Sequence, residues 1–311
     1  MLTRLLVFVT LLVCAAGAQT DPECRSALGD FAASLNAGWL DDVRGGLMHA
    51  LNNDSCFGTT LVALAALERR AGNFQDAEHY AFRAVRLLEP GGGNEVLLAS
   101  ALRTLALTYV ERDLPAKALP IIERLGAMTI LKVSDRASLR GLLAAALHSS
   151  GDARGAEREY LTAIRMWESC CEATRSVPEL SNLGLLYLNS GRLGEAAAVL
   201  LRALSALAVS TTDNDDQKID VLNNLAVVRA RQGELRVAQK YAQQAIDLLE
   251  NRGPEKHRQA AEVYRNCAAV FRTAHRRKEA EVLEARARAI QRLPRATVDV
   301  SELNGFTGLH K

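Results

Sequence analysis

The sequence predicts an all-α fold: a right-handed superhelical solenoid of about seven stacked antiparallel helix hairpins. Three observations predict it. A Gly-type turn residue followed five residues later by Ala recurs at Gly72/Ala77, Asp113/Ala118, Gly151/Ala156, Gly191/Ala196, Gly233/Ala238 and His275/Ala280, with markers 41, 38, 40, 42 and 42 residues apart. One hairpin cannot bury its own apolar face, so self-similarity at such a period implies a stack in which each unit covers the next. Composition agrees: 49% of the 311 residues are hydrophobic, mostly Ala and Leu, with 5% aromatics and 7 Pro, so helix formers abound and strand formers are scarce. Between units the chain turns polar, at Glu89 to Asn94, Ser210 to Lys218 and Asn251 to Pro254, as loops between repeats would.

Residues 1–18 read as a cleaved secretory signal. Arg4 gives a positive start, Leu5 to Cys14 form an apolar stretch, and Ala16-Gly17-Ala18 is a small-residue cleavage site. The mature protein is then expected to begin at Gln19, in the periplasm or outside the cell. The alternative is a lipoprotein anchored at Cys14, against which Val13 stands where a lipid-attachment motif wants a small residue. Residues 19–57 are expected to form an N-terminal capping hairpin turning near Asn36 to Gly38. Cys24 would open its first helix and Cys56 close its second, so the two ends lie side by side and a disulfide between them would staple the terminal unit.

Residues 58–293 hold the repeats. With the turn marker as position 15, helix A of each unit carries a small residue at position 8: Ala65, Ala106, Ala144, Gly184, Ala226 and Ala268. Helix B carries Ala at position 20 throughout, and a small residue at position 27 in all units but that of Leu125. Small side chains there let helices cross at the short end of the usual ~8–10 Å separation. Leu125 predicts a looser or shifted junction after its unit. Larger apolar residues at position 11, Tyr109, Leu147, Tyr187 and Phe271, fill the space beside the turn, with Glu68 and Arg229 departing from that pattern. Residues 294–311 form a tail, in which Ala296 to Ser301 alternates as a strand would.

The best-matched stretch, Leu180 to Ala203, reads L-x-x-L-G-x-x-Y-x-x-x-G-x-L-x-x-A-x-x-x-L-x-x-A. On that pattern the chain resembles the tetratricopeptide repeat family from Thr59 to Leu293. Its units exceed the family's usual ~34 residues and resemble the longer variant of kinesin light chains and many bacterial proteins, most closely at Leu222-Asn223-Asn224-Leu225-Ala226. The resemblance implies a scaffold that binds protein in a concave groove lined by the A helices, where Asn commonly holds the ligand backbone. The expected export excludes the cytoplasmic motor role.

The sequence offers little chemistry beside that scaffold. A net charge of +2 is too near neutral for a general nucleic-acid or anionic-lipid binder. Gly91-Gly92-Gly93 follows a helix rather than a strand and lacks a following Lys, so it reads as a connector and not a phosphate loop. The six histidines are scattered without zinc-site spacing, and no local nucleophile signature is present. No enzyme activity, metal or cofactor is therefore expected. Cys170-Cys171 leaves an alternative open, a redox-responsive or soft-metal protein, and self-assembly through an uncapped end is another. Cys267, at an interior position, reads as a small buried hydrophobe.

The partner-binding candidates are a row of asparagines. Asn182, Asn224 and Asn266 share position 6 of helix A, 42 residues apart, so successive helices align them. A carboxamide both donates and accepts, which suits an extended chain of any sequence, although such a row could equally bond helix to helix. Asn223, Arg231, Arg265 and Arg272 are expected on the same face, where the guanidinium groups would hold an acidic side chain or terminal carboxylate. The expected partner is thus a protein or peptide, with no nucleic acid and no membrane span.

Overall fold

The computed structural model describes residues 57–89, 94–170, 173–210, 214–253 and 259–292, with isolated helical positions at 45 and 47. The expected signal sequence, the tail, and the thiols of Cys24, Cys56 and Cys171 lie outside the described residues. These residues form two compact units, one reaching Ile130 and one beginning at Leu131. The boundary follows the repeat in which Leu125 stands at position 27.

The first unit holds α1 (Phe57–Ala71), α2 (Phe74–Leu88), α3 (Glu95–Glu111) and α4 (Pro115–Gly126). They pack as hairpins α1/α2 and α3/α4, with α3 also against α1 and α2. The second holds α5 (Val133–Ser149), α6 (Ala153–Cys170), α7 (Val177–Asn189), α8 (Leu193–Ala208), α9 (Asp215–Arg231), α10 (Leu235–Arg252), α11 (Ala260–Thr273) and α12 (Arg277–Arg292). Its four hairpins follow the same order, and the first helices α5, α7, α9 and α11 pack on one another in sequence. Among the described residues there is no strand, and no helix is long and apolar enough to cross a membrane.

The turn inside each hairpin explains the period. All six markers have left-handed backbone: φ is 84° at Gly72, 89° at Gly151, 74° at Gly191, 82° at Gly233, 57° at Asp113 and 63° at His275. In every case the next residue's N–H donates to the position-11 carbonyl at 2.9 Å, as Arg192 does to Tyr187 and Arg276 to Phe271. This bond satisfies a carbonyl that the helix end would otherwise leave open, and the left-handed residue is what makes it reachable. Glycine adopts that conformation freely, and Asp113 and His275 tolerate it at some cost.

Packing follows the small positions. The position-20 alanines 77, 118, 156, 196, 238 and 280 are all fully buried, as are Ala65, Ala106, Ala144 and Ala268 at position 8. Gly184 marks a close crossing within its hairpin, because a Cβ built there would lie 2.7 Å from Cγ of Leu200. Around that crossing Tyr160, Ile164, Leu180, Leu183, Tyr187 and Leu200 form one core of the second unit, while Tyr264, Phe271, Leu249 and Cys267 belong to another.

A polar clasp repeats over the turns. Tyr187 Oη donates to Glu157 at 2.8 Å, Arg192 donates to the same carboxylate at 2.7 and 3.0 Å, and its guanidinium lies 4.1 Å from the Tyr187 ring centroid. In the first unit Tyr109 donates to Glu78 at 2.9 Å and Arg112 pairs with that carboxylate. Each clasp ties a first helix and its turn to the second helix of the preceding hairpin. The residues that depart from the position-11 pattern are accommodated by polar contacts: Glu68 is fully buried and accepts from Asn73 Nδ2 at 2.7 Å, and Arg229 pairs with Glu234 at 3.0 Å.

Candidate groove on the first helices of the second unit

Because α7, α9 and α11 lie side by side, equivalent positions on them form rows across one face. The first half of each helix bounds an open groove of about 290 Å³. Its apolar floor includes Val177, Leu185, Val221 and Val263. Its polar lining comes in rows: Asn182 with Asn224, Gln217 with Gln259, and Asp220 with Glu262, each pair 42 residues apart.

The asparagines of this lining play different parts. Asn224 Nδ2 donates to Ser181 Oγ at 3.1 Å, so part of its capacity is spent joining α9 to α7. Asn182 is exposed at the groove edge. Asn223 is 6% exposed, and its Oδ1 is buried with no hydrogen-bond partner among the described residues. A buried carbonyl-type oxygen left unsatisfied costs roughly 1–3 kcal/mol, so an N–H supplied from outside would be favourable there.

The remaining expected site residues lie elsewhere. The lining contributed by α11 ends at Val263, before Arg265 and Asn266. Arg265 is exposed, and Asn266 is half-buried one helical turn beyond the groove. Arg231 donates to the Leu188 carbonyl at 3.3 Å, where a cation favours the C-terminal end of α7, and Arg272 is ion-paired with Glu284. The structure therefore brings together Asn182, Asn223 and Asn224 and does not bring the arginines to them. Sequence reasoning missed Ser181, Gln217, Asp220, Gln259 and Glu262, although the 42-residue spacing within the glutamine and acidic rows was a signal of the same kind as the asparagine row.

The cysteine chemistry is partly resolved. Cys170 is disulfide-bonded. Cys267 is fully buried, its Sγ donates to the Ala242 carbonyl at 3.7 Å, and burial pushes its thiol up to about 12, which leaves it inert as a nucleophile. No cluster of metal-ligating residues occurs among the described residues.

A tetratricopeptide repeat family model matches residues 176–251 and 217–292, the segment that contains the groove. Residues 176–292 carry tetratricopeptide repeats. The structure is similar to that of BtubC (BKLC) from P. vanneervenii, with a TM-score of 0.53 and 18% identity over 75% of this chain and 97% of that one. It is also similar to a Rap protein solved in complex with competence and sporulation factor, at TM-score 0.65 and 17% identity over 86% of this chain and 75% of that one. NprR solved with its cognate peptide NprX gives TM-score 0.63 and 17% identity over 88% and 78%. At these identities the likeness concerns the fold. No curated protein matches the sequence.

Proposed function

We propose that this tetratricopeptide repeat protein is an exported, non-enzymatic scaffold that binds an extended peptide segment in the groove of its second unit. The observation that carries the reading is Asn223, a nearly buried carboxamide whose oxygen has no partner among the described residues, set beside Asn182 and Asn224 over an apolar floor. Adjacent helices stand ~8–10 Å apart and an extended chain advances ~3.3 Å per residue, so crossing three helices takes about five or six residues. Amides at successive helices would meet the peptide backbone, which gives affinity with little dependence on side chains. One structural neighbour solved with its cognate peptide, and another solved with competence and sporulation factor, share this fold, which supports a binding use here.

Export is supported by the signal-like residues 1–18 and by the disulfide at Cys170, since such bonds persist in oxidising compartments. N-terminal sequencing of the mature protein is expected to start at Gln19, and non-reducing peptide mapping to find Cys24 joined to Cys56. The groove is tested by selecting short random peptides on the immobilised protein. Binding of the selected peptides is expected to fall sharply in the Asn182→Ala/Asn223→Ala double variant while circular dichroism is unchanged. Unaltered binding in that variant would sink the reading.

A further inference from the structure

The groove opens beside the point where the chain leaves its last helix. α11 and α12 form a hairpin, so the last turn of α12 stands next to the first turn of α11; Ala260 and Val263 share one core with Ala287, and Ile290 packs against it. Gln259, Glu262 and Val263 are the α11 side of the groove. Residues 293–311 therefore leave Arg292 within about one helix spacing, ~8–10 Å, of the groove's edge. Leu293, Pro294 and Arg295 suffice to cross that distance, since extended chain advances ~3.3 Å per residue. Next come Ala296 to Ser301, the stretch whose sequence alternates as a strand would. Extended, it spans about 20 Å, the width of the row α11, α9 and α7.

We infer that the protein's own tail, Ala296 to Ser301, occupies the groove in an intramolecular fashion, laid across α11, α9 and α7 in that order, and that an incoming peptide must displace it. This rests on the peptide-groove reading above and names an occupant for it. Alternation puts Ala296, Val298 and Val300 on one side of an extended chain, where they meet the floor valines Val177, Val221 and Val263, and puts Thr297, Asp299 and Ser301 on the other. The backbone N–H groups of such a chain supply what Asn223 lacks: its carboxamide is more than nine-tenths buried in the same groove, and its oxygen has no donor among the described residues. The tether supplies the strength. A segment on a short linker acts at an effective concentration of about 1 mM, so a tail that binds as a free peptide with a Kd of only about 0.1 mM fills the groove about nine-tenths of the time and weakens a competing peptide about tenfold.

The test uses the full chain and its Val298→Asn/Val300→Asn variant, which removes the apolar side of the tail without changing charge or any helix. A peptide selected as above, fluorescently labelled and titrated by anisotropy, is expected to bind that variant about tenfold more tightly than wild type, at every protein concentration. A synthetic peptide of residues 294–303 is expected to compete it off the variant, and the same peptide carrying both Val→Asn changes is expected not to. The competition is also read on the wild-type chain, which keeps the test valid should the variant fold poorly. Equal affinities for wild type and variant, or a tail peptide that does not compete, overturn this inference. Occlusion that grows with protein concentration puts the tail of a second copy in the groove and overturns the intramolecular assignment. If the selected peptides still depend on Asn182 and Asn223, the groove reading stands without it. Failure to select any groove-dependent peptide on either chain overturns both.

Discussion

Replacing Gly184 by Ala tests whether the repeat register has identified a close helix crossing. In a helix interior Ala is favoured over Gly by about 1 kcal/mol, so propensity alone predicts a gain. Packing opposes it. The new Cβ would lie 2.7 Å from Cγ, 2.8 Å from Cδ2 and 3.2 Å from Cδ1 of Leu200. Carbon atoms pack best at about 3.5–4.0 Å, and overpacking a filled core costs about 1–3 kcal/mol. Leu200 is fully buried among Tyr187, Leu183 and Ala196, so it cannot swing clear. The net expectation is a loss of about 0–2 kcal/mol. Gly194, a helical residue of α8, is the control, since a Cβ there meets nothing within 4 Å. Gly194→Ala should be neutral or stabilising, so the two variants should differ by about 1–3 kcal/mol in urea denaturation followed by far-ultraviolet circular dichroism. Equal midpoints would mean that α7 and α8 do not cross at Gly184, and the small-residue reading of position 8 would fall with it.

The remaining expectations concern the turns, the clasp and the groove. Gly191→Ala, whose Cβ meets nothing within 4 Å, should still lower stability by about 1–2 kcal/mol because φ is 74° there, and His275→Gly should raise it by a similar amount; thermal melts of both variants check the sign. Hydrogen bonding from Arg192, reinforced by Tyr187, holds the Glu157 carboxyl below its ordinary 4.5, so its contribution is present above that pH and lost as pH falls through the folded value. The stability gap between wild type and Glu157→Gln should accordingly be open at neutral pH and close in acid, and a gap constant from neutral to strongly acidic pH would refute the clasp. Asn223→Leu should leave the melting temperature unchanged or higher yet abolish binding of groove-selected peptides, whereas Asn224→Ala should lose about 0.5–1.5 kcal/mol with its bond to Ser181.

The turns were the most legible part of the sequence because the backbone demands something specific there. A left-handed residue selects Gly, Asp or His, and the buried close contacts select Ala, so both leave marks that recur at the repeat period. The 42-residue spacing likewise located the asparagine row, of which Asn182 and Asn224 line the groove. How far along each helix the groove extends left no such mark. Arg231 and Arg272 sit at positions 13 and 12 of their units, about two helical turns beyond the asparagines, or roughly 10 Å along the axis, and nothing in residue type reports that distance. Arg265 shares position 5 with Ser181 and Asn223 but stands beyond Val263, where the lining of α11 ends. The acidic row was overlooked for a different reason: Glu262 lies in the first turn of its helix, where acidic residues are ordinary dipole partners, and Asp220 lies in the second turn of a helix that opens with Asp215 and Asp216.

Asn223 and Asn224 are adjacent, yet they answer different questions about the row. A residue kept to stiffen the stack should be satisfied by the stack, as Asn224 is when it donates to Ser181 on the preceding first helix. Asn223 is as deeply buried and its oxygen is satisfied by nothing among the described residues. An apolar residue of similar size would remove an unmet desolvation cost of roughly 1–3 kcal/mol at no loss of hydrogen bonding, so stability alone does not account for an amide at that position. Binding does account for it, because the missing donor is what a peptide backbone brings. On the proposed groove reading, Asn224 of the row serves the fold through Ser181, and the binding role falls to Asn223 beside it.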